Sequence, residues 1–360
     1  MYVRRPVCRV LRHSPKAGVT LLAACLALTA VAACGSSAST SGGSTSGDAT
    51  SLTSIELGFP LPNVQSAAVQ IAARNGVFKQ YGLKVTATSL GTANVVNAAL
   101  TSGSVDYSLT SASQLITSVS QGVGIIAISG YTVGTPVDVI FSNSYIAAHK
   151  LSTHSGISKL VQSLSGSHVA VSSPVIKTQE ATLLKAYGVS PTSVNTVTVS
   201  SEGGMASLLS SGQIDAFIAG PPVPQVAQAQ GAGKILISSV NAPVWNAGNA
   251  NLVLAANKAY ADAHPALTKK IAAAVHAAVE YVLGNRSAAA KQSASLLSAT
   301  PAEVEASLPL AGYSTCASMS STLWTKTVDF SISSGSLPST ATAAEGKVWT
   351  NDYVAVQKGC

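Results

Sequence analysis

Apolar positions along this chain switch period in a regular way. Residues 54–59 alternate apolar and polar and stop at Pro60-Leu61-Pro62, which predicts a strand. Asn63 can cap a helix to about Asn75, with Val64, Ala67, Ala68, Ile71 and Ala72 on one face. Residues 76–82 connect tightly into a strand at 83–90, a second helix follows Gly91, and a third strand at 105–109 leads into a helix at 111–121. Strand-like runs at 125–129 and 136–142 complete this group.

A polar, His-containing stretch at 146–167 follows, and then the alternation begins again. Strands are predicted at 169–172, 194–199, 215–219 and 235–238, and helices at 178–187, 205–211 and 222–230. A strand at 251–255 precedes an Ala-rich helix at 260–284, interrupted near Pro265, and further helices at 287–299, 301–308 and 318–334. Such alternation predicts an α/β fold with largely parallel sheets in two lobes. The expected division is 52–143 with 247–360 as a discontinuous first lobe and 144–246 as the second, with crossings near 142–146 and 242–251.

One short pattern occurs in both halves. Residues 98–107 (AALTSGSVDY) match 207–216 (SLLSSGQIDA) in layout: a helix ends at Gly103 or Gly212, and Asp106 or Asp215 starts the next strand. Glycine there takes the left-handed conformation that closes a helix, and Asp begins the turn. Two copies, one per half, point to a repeated architecture.

The amino terminus reads differently. Residues 1–33 carry Arg4, Arg5, Arg9, Arg12 and Lys16 with no acid, then an apolar run to Val31, the pattern of a signal peptide. Two lipobox-like sites compete, Leu22-Ala-Ala-Cys25 and Val31-Ala-Ala-Cys34. Cleavage before Cys25 would leave residues 26–33 as an exposed apolar stub, whereas Cys34 opens onto a stretch of Ser, Thr and Gly. Lipidation is therefore assigned to Cys34, the alternative being an ordinary secretory signal with an incidental Cys. Residues 34–51 lack apolar periodicity and read as a flexible tether. The expected location is the extracytoplasmic face of the cell membrane, held by a lipid anchor.

The net charge of +7 falls away with the signal: five of the 21 basic residues lie within it, leaving 16 against 14 acids. Arg74 and Arg286 are the only arginines after Cys34, and no basic cluster is interleaved with aromatics, so nucleic acid is not an expected partner. Two further cysteines, Cys316 and Cys360, can close a disulfide in an oxidising compartment, the alternative being two unpaired thiols. Neither has a Cys or His at metal-ligand spacing, and no metal or cofactor is expected.

Five segments together resemble a known family. They are 72–86 (AARNGVFKQYGLKVT), 99–107 (ALTSGSVDY), 163–171 (SLSGSHVAV), 185–191 (KAYGVSP) and 211–217 (SGQIDAF). In this order they resemble the NMT1/SsuA/THI5-like substrate-binding proteins of ABC transporters, although Ser163 and Ser167 replace the Asp and Lys usual in that pattern. The resemblance implies a type II periplasmic-binding-protein fold, two α/β lobes with a hinge and an interlobe cleft. It also implies a monomeric binding protein that captures a small-molecule ligand of the sulfonate, nitrate or thiamin-precursor pyrimidine class and delivers it to a membrane permease with its ATPase.

In open α/β lobes ligands bind beyond the carboxyl ends of strands, where helix N-termini present free N–H groups. The candidates are Gly58, Phe59, Pro60, Leu61, Gly91, Thr92, Ser111, Ala112, Ser113 and Thr135 in the first lobe. In the second they are Ser172, Ser173, Thr178, Glu202, Gly203, Gly220, Pro221 and Pro222, with Trp245 as a stacking surface for a flat ligand. Many of these Ser and Thr are equally suited to capping helices. No arginine falls at these joints, so an anion would rest on N–H groups, hydroxyls or Lys177, and a neutral, partly apolar ligand fits as well. Catalysis is not expected: G-x-S-x-G, H-E-x-x-H and Walker A motifs are absent, as is the His and Cys cluster of the pyrimidine synthases that share this resemblance. A ligand-sensing lipoprotein without a transporter is the other reading the sequence allows.

Overall fold

Two five-stranded sheets share one topology. In chain order the strands are β1 (Thr53–Phe59), β2 (Leu83–Ser89), β3 (Tyr107–Ser111), β4 (Ile125–Gly130), β5 (Asp138–Ser142), β6 (His168–Val171), β7 (Asn195–Thr198), β8 (Ala216–Ala219), β9 (Gly233–Ser238) and β10 (Leu252–Asn257). The spatial orders are β2-β1-β3-β10-β4 and β7-β6-β8-β5-β9. The structure is a computed structural model that describes residues 51–199 and 202–355. Cys34 and Cys360 therefore lie outside the described residues, as do the signal segment and all but the last residue of the tether.

The helices are α1 (Ala67–Asn75), α2 (Val77–Gln80), α3 (Ala93–Ser102), α4 (Ala112–Ser120), α5 (Asn143–Ala148), α6 (Ile157–Ser163) and α7 (Pro174–Ala186). They continue with α8 (Glu202–Ser210), α9 (Val223–Ala229), α10 (Lys258–Ala263), α11 (Pro265–Gly284), α12 (Arg286–Ser293), α13 (Pro301–Ser307) and α14 (Ser321–Ser333). On the first sheet, α1, α11, α12 and α13 share one apolar core and α3, α4 and α14 another. On the second, α5, α6 and α7 pack on one face and α8 and α9 on the other. Strands β5 and β8 are buried at every position, whereas the edge strands β2 and β7 are largely exposed, which is why only the central strands read as continuous apolar runs.

In each sheet one strand runs against the rest: β10 is antiparallel to β3 and β4, and β5 to β8 and β9. Each is the strand by which the chain enters from the other lobe. Strand β5 is expected in the first lobe on its apolar pattern, but it lies in the second sheet. The first crossing is thus 131–137 rather than 142–146, and the second lobe starts before residue 144. The pattern could not decide this, because a fully buried strand looks alike on either side of a crossing.

The repeated Gly-to-Asp motif has one mechanical role in both lobes. Gly103 and Gly212 take φ of +75° and +72° and end α3 and α8. Asp106 then accepts the Glu56 amide on Oδ2 at 2.8 Å and donates its own N–H to the Glu56 carbonyl at 2.9 Å. Asp215 does the same to His168, at 2.8 and 2.9 Å. Each Asp thereby fixes the register of a parallel pair, β1 with β3 or β6 with β8.

The crossings form a hydrogen-bonded ribbon. Thr132 N–H donates to the Leu252 carbonyl (3.0 Å), Asn251 N–H to Thr132 (2.9 Å) and Gly134 N–H to Asn249 (2.9 Å). A third segment joins on the other side, where Val133 N–H donates to the Gly312 carbonyl at 2.8 Å and Ser314 N–H to Tyr131 at 2.9 Å. Gly312 has φ +66°, and a Cβ there would stand 2.2 Å from the Val133 carbonyl oxygen. Gly312→Ala should therefore cost about 2–4 kcal/mol, read as a lower denaturant midpoint at unchanged slope.

Candidate interlobe ligand cleft

The crossings fix where the cleft lies. Residues 131–137 leave the carboxyl end of β4, and 239–251 leave that of β9, so both sheets meet the crossings along the carboxyl edge of their parallel strands. The loops after β1, β2, β3, β6, β7 and β8 therefore border the space between the lobes. There α13 of the first lobe packs against α9 of the second.

Most sequence candidates lie on this edge, but many of their polar groups already serve the fold. Thr92 Oγ1 accepts the Val95 amide at 3.4 Å and Ser173 Oγ the Ile176 amide at 3.3 Å, capping α3 and α7. Ser111 and Ser113 hydroxyls bond each other at 3.0 Å, and the Ala112 amide donates to the Asn251 carbonyl at 2.8 Å. At α1 the helix begins later than the pattern predicts, because Asn63 Oδ1 accepts the Gln65 and Ser66 amides in a turn, each at 3.0 Å. The Ala68 amide donates to the Tyr313 hydroxyl at 3.0 Å, while the Tyr313 and Tyr131 hydroxyls donate to the Val64 and Gln65 carbonyls. Burial pushes both phenols up, so they stay protonated donors.

Gly58 and Phe59 are buried, and a Cβ on Gly58 would sit 2.9 Å from Leu90 Cδ1, so Gly58 serves packing. Pro60 and Gly91 are half-buried and Leu61 is exposed. Ser172, Thr178 and Gly220 are half-buried, Pro221 and Pro222 buried with a cis bond between them, and Glu202 and Gly203 open α8. Thr135 belongs to the crossing, its amide donating to the Trp245 carbonyl at 2.7 Å.

Trp245 is a correction. It has no exposed surface, its Nε1–H donates to the Gln179 carbonyl at 3.2 Å, and its ring belongs to the second lobe's core, so it offers no stacking face. The indole needs an acceptor when buried, and the α7 backbone supplies one.

Asp138 was missed, although a lone acid in the apolar run VDVIF was the available signal. It begins β5 at the cleft edge with no exposed surface. Gln225 of α9 donates to its Oδ2 at 2.6 Å, while Asp138 Oδ1 and Gln225 Oε1 are buried without a partner. Burial pushes its pKa up to about 6, the Gln225 hydrogen bond opposing. Elsewhere on the first lobe a cavity of about 480 Å³ is lined by Lys269, Ala273, His276, Ala317 and Tyr353. A smaller one of about 90 Å³ sits among Gly134, Thr135, Asn246 and Leu310 at the crossings. Cys316 is disulfide-bonded, with a partner necessarily outside the described residues.

The model of the NMT1-like family matches residues 48–298. The chain belongs to that family. No curated protein matches it by sequence. Among solved structures, this NMT1-like protein is similar to the periplasmic aliphatic sulphonate binding protein SsuA from Escherichia coli, with a TM-score of 0.65 at 15% identity over 84% of this chain and 99% of that one. The alkanesulfonate-binding protein SsuA from Xanthomonas axonopodis pv. citri, bound to MOPS, gives 0.60 at 15% identity over 80% and 96%. The periplasmic nitrate-binding protein NrtA from Synechocystis PCC 6803 gives 0.53 at 17% over 70% and 69%. At these identities the likeness is one of fold, the two-lobed periplasmic-binding-protein type.

The buried carboxyl makes stability depend on pH. A folded pKa of about 6 lies above the unfolded value, so the ionised form is disfavoured in the fold. The penalty is full above pH 6 and fades as pH falls toward about 4. Asp138→Asn should raise stability over the wild type by about 2–3 kcal/mol at pH 8 and by little at pH 4, checked by paired denaturant titrations.

Proposed function

We propose that this NMT1-like protein is the extracytoplasmic solute-binding component of an ABC-type importer, tethered to the membrane through Cys34. It closes its lobes on one small organic solute and hands that solute to a permease driven by an ATPase. The observation that supports this most is the shared topology of the two sheets. Both turn the carboxyl edge of their parallel strands toward the crossings, so one cleft is bordered by helix N-termini from two bodies that the crossings connect.

Such a layout makes binding and closure one equilibrium. A solute touching both edges favours the closed arrangement by the difference between its affinities for closed and open forms. Nothing in this requires chemistry on the solute. Among the described residues no three His, Cys, Asp or Glu side chains gather into a metal-holding group. Asp138, at the cleft edge of β5, is tied to an amide rather than to a nucleophile.

Purified protein should melt at a higher temperature with one solute from a panel of sulfonates, nitrate, pyrimidines, amides and related small molecules. At a hundredfold excess over the dissociation constant the gain is about 2.7 kcal/mol. Turnover of that solute, or silence toward the whole panel, would count decisively against binding as the function.

A further inference from the structure

The carboxyl edges of the two lobes carry an unusual surface. Among the described residues the large apolar side chains left exposed include Leu61, Val95, Val175 and Val240, at 56%, 49%, 68% and 72%. They follow the ends of β1, β2, β6 and β9 respectively, two on each lobe. The other two, Leu52 and Val197, lie just before β1 and in the edge strand β7.

Charge on the same edge is scarce: Lys326 Nζ of α14 reaches the second crossing beside Gly248, and the loops themselves carry little. The segments 59–66, 89–95, 111–117, 172–178, 199–206 and 220–226, with both crossings, hold one lysine, Lys177, and one acid, Glu202. Asp138 adds a second acid where the first crossing enters β5, with an unpartnered oxygen. Burial raises the Glu180 carboxyl, opposed first by the Thr196 hydrogen bond and then by the Lys177 charge, so Lys177 also acts within the protein. A sulfonate or nitrate desolvated here would find no guanidinium, and many of the N–H groups and hydroxyls that might substitute are occupied within the protein.

We propose that the cleft takes an uncharged, partly apolar solute bearing an N–H or O–H donor, and that it discriminates against small oxyanions. The inference rests on the binding reading above and narrows it. Leu61, Val95, Val175 and Val240 bury their exposed faces on the solute's apolar body when the lobes close. Asp138 Oδ1, buried without a partner while Gln225 holds the other oxygen, accepts the donor once the side chains covering it move aside, and a negative head group would face this carboxylate.

Matched pairs test this by calorimetry on the purified protein: hexanamide against hexanesulfonate and benzamide against benzenesulfonate, with nitrate alongside. Each amide should bind at least about tenfold more tightly than its sulfonate, with a negative heat-capacity change. Val175→Ser and Val240→Ser lie on the surface and should leave melting unchanged while weakening amide binding roughly three- to tenfold. A sulfonate or nitrate binding more tightly than the amides overturns the inference and leaves solute binding standing, as does full amide affinity in both valine variants. If only another member of the wider panel binds, an anion overturns the inference and a neutral compound upholds it. If nothing binds, the binding reading fails first and the inference with it.

Discussion

Everything else in this molecule depends on the hydrogen-bonded ribbon at the crossings. Each sheet has its own apolar cores, and the backbone pairing between 131–134, 249–252 and 312–314 sets the edge along which they meet, with α13 packing on α9 beside it. Thr132 shows how tightly it is specified. Its hydroxyl is buried and accepts both the Leu252 amide and the Gln65 side chain, each at 3.0 Å, so the ribbon is tied to the α1 entrance. Buried polar groups with full partners hold one geometry because every alternative leaves a donor or acceptor unpaired.

The antiparallel strand in each sheet follows from the same constraint. A chain that leaves one sheet at its carboxyl edge and enters the next at its facing edge must run against the parallel strands there. Both β5 and β10 do so, and each carries a register shift, between Val139 and Ile140 and between Leu254 and Ala255. The Asp106 and Asp215 clamps work at the opposite edge, far from the cleft, where they hold parallel register by the same pair of hydrogen bonds. The repeated motif is thus a device of the fold, which is why it identifies architecture and is silent about the ligand.

That division explains what could be read from sequence. Periodicity, the two Gly-to-Asp joints and the five family-like segments are local signals, and they led to the α/β class, the succession of strands and the family, but not to α5 and α6, which fall around the stretch 146–167 that reads only as polar. The sheet to which β5 belongs is non-local, since five buried apolar residues fit either lobe. Pro265 was read correctly as an interruption, separating α10 from α11. Asn63 does not cap the helix as the pattern suggests: its side chain closes a turn instead, and α1 begins only at Ala67. Trp245 failed for a related reason: an aromatic near a crossing is equally suited to a ligand wall or to a core, and tertiary packing decided for the core.

The candidate site was legible as a place and far less as a chemistry. Ser, Thr and Gly recur at strand-to-helix joints because helices need caps and turns need glycine, and Thr92, Ser173 and Asn63 are consumed in that way. What distinguishes a cleft is what remains once the fold has taken its share. Here the remainder is a set of exposed aliphatic side chains on both lobes and a buried carboxyl whose second oxygen has no partner within the protein. Each carries a free-energy cost in the isolated chain, the first by exposing apolar surface to water and the second by desolvating a polar group. A solute with an apolar body and a hydrogen-bond donor relieves both costs at once. The features that make the unliganded cleft less stable are therefore those that would select its ligand.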